Sequence, residues 1–144
     1  MTWPAPQPGL VIRYSYLWQE EAAAGREEGS KDRPCAVILA VTDEEGRPRV
    51  YAVPITHTPP SADVDAIEIP PVTKQRLGLD GERSWVVVSE ANVFAWPGPD
   101  LRPVPGREPA TPAFGFFPPR FFGLVRDRFT AAHRRKAALV RRTE

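Results

Sequence analysis

The chain of 144 residues has a single cysteine, Cys35, one methionine and two histidines. One cysteine forms no internal disulfide, so this is not a disulfide-stapled secreted scaffold. It also excludes multi-cysteine zinc and iron–sulfur sites. His57 and His133 are too few and too separate for a histidine metal trio, although acids can supplement them. No metal or cofactor is therefore expected. No Gly-rich phosphate loop is present, and no internal repeat. No apolar run approaches the roughly 18–20 residues of a membrane span. The start Met1-Thr2-Trp3-Pro4 lacks the basic and apolar regions of a signal peptide. A soluble, cytoplasmic, single-domain protein with no membrane partner is the expectation.

Proline, by contrast, is abundant: 18 of 144 residues, more than twice the usual share of about 5%. Proline plus glycine nevertheless stays below the roughly 25–30% of low-complexity disorder, and 42% of the residues are hydrophobic. Charge is uneven along the chain. Residues 1–119 carry 11 Lys/Arg against 16 Asp/Glu, a net of −5, and residues 120–144 carry 8 against 2, a net of +6. A basic tail can meet a polyanion such as RNA or an acidic protein segment; it can equally be the solvated face of a helix.

Pro4, Pro6 and Pro8 make residues 1–9 an extended arm. Val11–Trp18 is β-branched and aromatic, and reads as a strand. A polar stretch, residues 19–32, follows as a long loop, and loops of that length in a compact domain are often functional. Cys35–Val41 is a continuous apolar run, the mark of a buried strand. A turn at Asp43–Pro48 leads to a hairpin partner, Val50–Ile55. Ala66–Ile69, Trp85–Val88 and Asn92–Trp96 are further short strands, with a turn or two of helix at Thr73–Leu79. Residues 97–119 hold eight prolines and three glycines and read as a connecting segment without regular structure. From Arg120 to Val140 the apolar residues Phe122, Val125, Phe129, Ala132 and Leu139 recur at helical spacing. The domain reading is thus an arm (1–9), a small barrel-like sheet (10–96), a Pro-rich segment (97–119) and a C-terminal helix (120–142).

Cys35 directly follows Arg33-Pro34. A thiolate stabilised by Arg33 is conceivable chemistry, but a small buried hydrophobe is the better reading of a free cysteine opening an apolar run. More informative are two strand ends. Antiparallel pairing brings the start of one strand beside the end of its hairpin neighbour, hence Arg33 beside Thr56 and His57. Arg33 lies 13 residues before Gly46 and Thr56 lies 10 after it, so a bulge or an unequal turn is needed to align them. The acidic loop with Glu27, Glu28 and Lys31 would hang over the same end. Arg, Thr, His and Glu together can bind a phosphate and stabilise a phosphoryl transition state without metal. The plain alternative is that Arg33 pairs with a loop acid and Thr56 merely ends a strand.

These residues carry a family resemblance. Gly9–Tyr14, then Glu28-Gly29-Ser30-Lys31-Asp32-Arg33-Pro34, then Val53-Pro54-Ile55-Thr56, resemble the MazF/PemK toxins of type II toxin–antitoxin systems. The likeness covers roughly residues 8–95 and 120–140. It implies a mainly β fold, an SH3-like barrel with a C-terminal helix, and a homodimer. It further implies a metal-independent endoribonuclease cleaving single-stranded RNA, in which the 2′-hydroxyl attacks the adjacent phosphate. The products are a 2′,3′-cyclic phosphate and a 5′-hydroxyl, and the outcome is inhibited translation and growth. The resemblance makes Arg33 and Thr56 catalytic, with Glu28 as the loop Glu implicated in some members. It implies a cognate antitoxin protein as partner, and DNA only through that antitoxin. As general base, His57 has a suitable unperturbed pKa of about 6.5, although strict alternation would turn it away from Thr56. Lys31, Trp18, Tyr51 and Trp96 are candidate RNA contacts; any one of these aromatics can instead be core or interface packing. The loop departs from the family in having Gly29 where many members have Gln, and Asp32 stands where it can pair with Arg33 and weaken phosphate binding. The alternatives are a non-catalytic SH3-like module that binds RNA or a peptide, and a structural protein whose Pro-rich segment holds a partner in extended form.

Overall fold

The computed structural model describes residues 3–26, 29, 31–62, 64–134 and 138–142. It holds β1 (Leu10–Tyr14), α1 (Gln19–Ala23), β2 (Arg33–Thr42), β3 (Pro48–Thr56), β4 (Ala66–Glu68), α2 (Pro71–Leu77), β5 (Trp85–Val87), β6 (Glu90–Ala95), β7 (Ala113–Phe116), α3 (Pro119–Arg134) and β8 (Ala138–Arg141). The architecture is mainly β. Eight strands form one sheet in the order β4-β5-β3-β2-β1-β7, with β6 on β3 and β8 on β6. All pairings are antiparallel except β6 with β8, which is parallel. The sheet stays open, so the closed barrel expected from the sequence is not formed. No helix among the described residues is long and apolar enough to cross a membrane.

β3 organises the fold. One edge pairs with β2; the other pairs first with β6 (Arg49 to Ala52) and then with β5 (Ile55 and Thr56). The change of partner lets the sheet wrap. Side chains of a strand alternate between faces, and here both faces are covered. Val11, Ala36, Ile38, Val53 and Ile55 join Val86, Leu77 and the helix residues Val125 and Phe129 in one core. Leu10, Ile12, Tyr14, Cys35, Val37, Val50 and Ala52 join Phe94, Trp96 and Leu101 in the other. That double burial explains why Cys35–Ile38 is apolar without alternation; Leu39 and Val41, further along the run, are exposed.

Three expectations change. The C-terminal helix ends at Arg134, and Leu139 belongs to β8, which pairs with β6 (Leu139 with Ala91, Val140 with Asn92). The Pro-rich segment contains a strand, β7, which takes the outer edge beside β1. It escapes the prolines because it is four residues long and lies between Pro112 and Pro118; edge strands tolerate flanking prolines. The loop after β1 contains α1, whose first turn is held by the Glu21 carboxylate accepting the Trp18 N–H at 3.1 Å.

Directly after β8 comes Arg142, which is buried. Its Nη1 donates to Tyr14 Oη (3.0 Å), Ser15 O (2.8 Å) and Asn92 Oδ1 (2.9 Å), and its Nη2 donates to Asp100 Oδ2 at 3.0 Å. Asn92, also buried, clasps Leu17 on both sides: Oδ1 accepts its N–H at 2.9 Å and Nδ2 donates to its carbonyl at 2.7 Å. The end of the chain thus fixes the segment that presents Trp18.

A ridge between two clefts as the candidate functional site

The β2–β3 register runs Val37 with Ala52, Ala36 with Val53 and Cys35 with Pro54. Carried two residues outward, it sets Arg33 opposite Thr56. Directly opposed residues on antiparallel strands have Cα atoms about 4.5–5.5 Å apart with side chains on one face. The offset counted in the sequence is absorbed by a bulge between Val37 and Leu39. Arg33 and Thr56 extend the rows Val37–Cys35 and Ala52–Pro54, so both side chains emerge on the face that also carries Trp18.

Two clefts meet here. The first, about 510 Å³, is lined by Trp18, Glu20, Glu90 and Val87, with Pro59 and Pro60 on its rim. The second, about 270 Å³, is lined by His57, Lys74, Asp80 and Ser84. Lys31, Arg33, Thr56 and Thr58 line both and form the ridge between them.

Arg33 is half-buried. Its guanidinium carbon lies 5.0 Å from the Trp18 ring centroid, a cation–π distance. Among the described residues its buried Nε has no hydrogen-bond partner. Asp32 does not take it: that carboxylate faces Arg13 (3.6 Å) and Arg102 (3.7 Å). Asp32, just before β2, is thus engaged by two other arginines, which removes the expected competition. Thr56 Oγ1 accepts the Thr58 N–H at 3.2 Å and keeps its own proton to donate.

The two clefts hold carboxylates of opposite character. Burial pushes Glu90 above the ordinary carboxylate range; hydrogen bonds from the Gln19 N–H and the Tyr16 hydroxyl, both 3.0 Å, pull it back only in part, and Glu20 and Glu21 add to the rise. Asp80 is pushed up by burial, but the Lys74 ammonium (2.6 Å), the Glu82 N–H and His57 outweigh that, and it lies below its ordinary value. His57 Nε2 is 2.7 Å from Asp80 Oδ2 and 3.6 Å from Glu82 Oε2. These three side chains are spaced closely enough for a cation, yet the Lys74 ammonium already supplies the positive charge on Asp80.

No protein-family model and no curated protein matches this chain.

The structure therefore brings together Arg33, Thr56, His57 and Lys31 of the residues singled out from the sequence. Glu28 and Glu27 lie outside the described residues. Trp18 reaches the first cleft, but one face is taken by Arg33 and its ring meets Tyr16 edge-on at 5.3 Å, so it supports the arginine as well as walling the cleft. Tyr51 is not at the site. It sits five residues up β3, opposite Leu39 and Val93, and lines neither cleft. Trp96 is remote too, its indole N–H donating to Pro4 O at 3.1 Å in the arm. Cys35 is fully buried, and burial drives its thiol far above the thiolate range, so it is core. Part of the basic tail is spent on the fold: Arg142 is internal and Arg128 pairs with Asp65, while Arg126 lies beside Asp127 on the surface. Glu90, Lys74 and Asp80 were not anticipated. The one signal for Glu90 is its position: a charge between two apolar runs, Trp85–Val88 and Ala91–Trp96.

Proposed function

We propose that this protein is a metal-independent endoribonuclease toxin of the type II toxin–antitoxin kind, on an opened SH3-like barrel. The observation that carries the reading is Arg33 set opposite Thr56 on a ridge between two clefts, with its guanidinium supported by Trp18 and not engaged by Asp32. A forked, permanently charged donor suits phosphate oxygens that gain charge in the transition state. The Thr56 hydroxyl adds a second donor to the same oxygens.

In this mechanism the scissile phosphate sits on the ridge. The 2′-hydroxyl attacks from the first cleft, where the Glu90 carboxylate, its proton affinity raised by burial, is suited to accept its proton. The P–O5′ bond breaks, leaving a 2′,3′-cyclic phosphate and a 5′-hydroxyl. Lys31 contributes charge toward the RNA backbone. Leu39 and Val41, both exposed on one side of β2, offer an apolar strip in support of a homodimer. An acidic antitoxin segment lying across Lys31 and Arg33 would block the ridge. Induced expression of the wild type should arrest growth, and Arg33→Ala should relieve the arrest at equal protein level. A wild type that leaves growth unaffected would move the reading to a non-catalytic RNA- or peptide-binding module.

A further inference from the structure

We propose that His57, held by Asp80 and Lys74, is the general acid that protonates the departing 5′-oxygen. This rests on the ribonuclease reading above and assigns a role that the ridge alone leaves open.

The argument begins with a buried lysine. Lys74 of α2 is 4% exposed, a rare state for an ammonium unless it is well paired. Its Nζ donates to Asp80 Oδ1 (2.6 Å), to Ser84 Oγ (2.8 Å) and to Glu82 O. Three acceptors satisfy its three protons, and they pin the loop between α2 and β5. The same Asp80 places its other oxygen 2.7 Å from His57 Nε2. A carboxylate on one ring nitrogen fixes the ring's orientation, leaving Nδ1 for a second partner. The sequence Lys74, Asp80, His57 therefore runs from the core to the second cleft, where His57 stands beside Thr56 and Arg33.

The chemistry asks for a group at that place. In-line displacement at phosphorus puts the attacking and leaving oxygens on opposite sides of the phosphate. A proton acceptor and a proton donor must then flank the ridge. Glu90 lines only the first cleft and His57 only the second. As the 2′-oxygen bonds to phosphorus, its proton passes to Glu90. As P–O5′ breaks, the electron pair goes to O5′, which takes the proton from the His57 imidazolium. The enzyme is left with protonated Glu90 and neutral His57, and solvent restores both. His57 thus gives a proton rather than takes one, because the end of β3 turns it to the side away from Glu90. Among the described residues, the charged groups facing it are Asp80 and Glu82, with Lys74 behind Asp80 and with Lys31, Asp32 and Arg33 also lining the second cleft.

The test compares leaving groups. A mixed-sequence single-stranded RNA first locates a cut site. An oligonucleotide spanning that site is then made with ordinary oxygen or with sulfur at the 5′-bridging position, since a thiolate leaves without protonation. His57→Ala should slow cleavage of the oxygen substrate by about 10²-fold and the sulfur substrate by less than about fivefold, whereas Arg33→Ala slows both. The alkaline limb of the wild-type kcat/KM–pH profile should flatten in His57→Ala, and Asp80→Asn should shift it. Equal slowing of both substrates by His57→Ala, or no slowing of either, overturns the acid role and leaves the ribonuclease reading intact. Absence of cleavage by the wild type overturns the ribonuclease reading and this inference with it.

Discussion

Two arginines that both turn inward divide the molecule into a part that is finished and a part that is not. Around Arg142, under β6 and β8, four acceptors converge on one guanidinium, and Asn92 relays the grip to Leu17. Around Arg33 the packing is similar, with an aromatic ring 5.0 Å away. The buried Nε does not distinguish the two arginines; the terminal nitrogens do, since at Arg142 they are held by those four acceptors and at Arg33 they stand at the meeting of two clefts. Arg142 is tied into the fold, and Arg33 is the one to which the proposed chemistry falls. The two are coupled, because the Arg142 network anchors the segment that carries Trp18 under Arg33.

The sharpest way to break this contrast is Arg142→Met. It strands Asp100 without its partner, and removing one member of a buried pair costs about 3–5 kcal/mol. Urea titration should show that loss, while RNA cleavage persists wherever the variant is still folded. If Arg142→Met removed cleavage while leaving stability untouched, the division would be wrong. Thr56→Ala comes next. Cleavage should fall at least about tenfold with the urea midpoint unchanged, since among the described residues the Thr56 hydroxyl bonds only to a neighbouring N–H at the strand end. An unchanged rate would take Thr56 out of the site.

The smallest effect concerns pH. Glu90 is raised in the folded protein, so its contribution to stability is fully present below the unfolded carboxylate value and is lost as pH rises through the folded one. Glu90→Gln should therefore gain on the wild type as pH increases toward neutrality and converge with it in acid. Asp80 is lowered and has the opposite sign: its contribution is present above its unfolded value and is lost as pH falls. Parallel stability–pH curves for wild type and Glu90→Gln would contradict the burial of that carboxylate.

Much of the ridge was legible in the sequence because it depends on local signals. Arg33-Pro34 opens an apolar run, Pro54-Ile55-Thr56 closes its hairpin partner, and the unequal spacing about Gly46 asked for a bulge or an unequal turn. The site of the bulge, between Val37 and Leu39, was not legible, since any residue of a strand buried on both faces can host one. The C-terminal strand was hidden for a different reason. Arg, Lys, Ala and Leu are good helix formers, and only pairing with β6, nearly fifty residues earlier, turns Leu139–Arg141 into a strand. Lys74 is another such case: a lysine on a two-turn helix reads as solvated until Asp80, Glu82 and Ser84 fold back over it. The close approach at Gly29 was hidden too. A Cβ there would run into the Tyr16 carbonyl, so a larger side chain does not fit without a shift of the backbone.

The central claim is that Arg33 is held available for a phosphate on RNA. Its most direct test is the rate and product chemistry of cleavage of single-stranded RNA in EDTA by the wild type and by Arg33→Ala. The wild type should yield 2′,3′-cyclic phosphate and 5′-hydroxyl ends, and Arg33→Ala, folded to the same stability, should be slower by about 10³-fold. Equal rates from the two proteins would contradict the account.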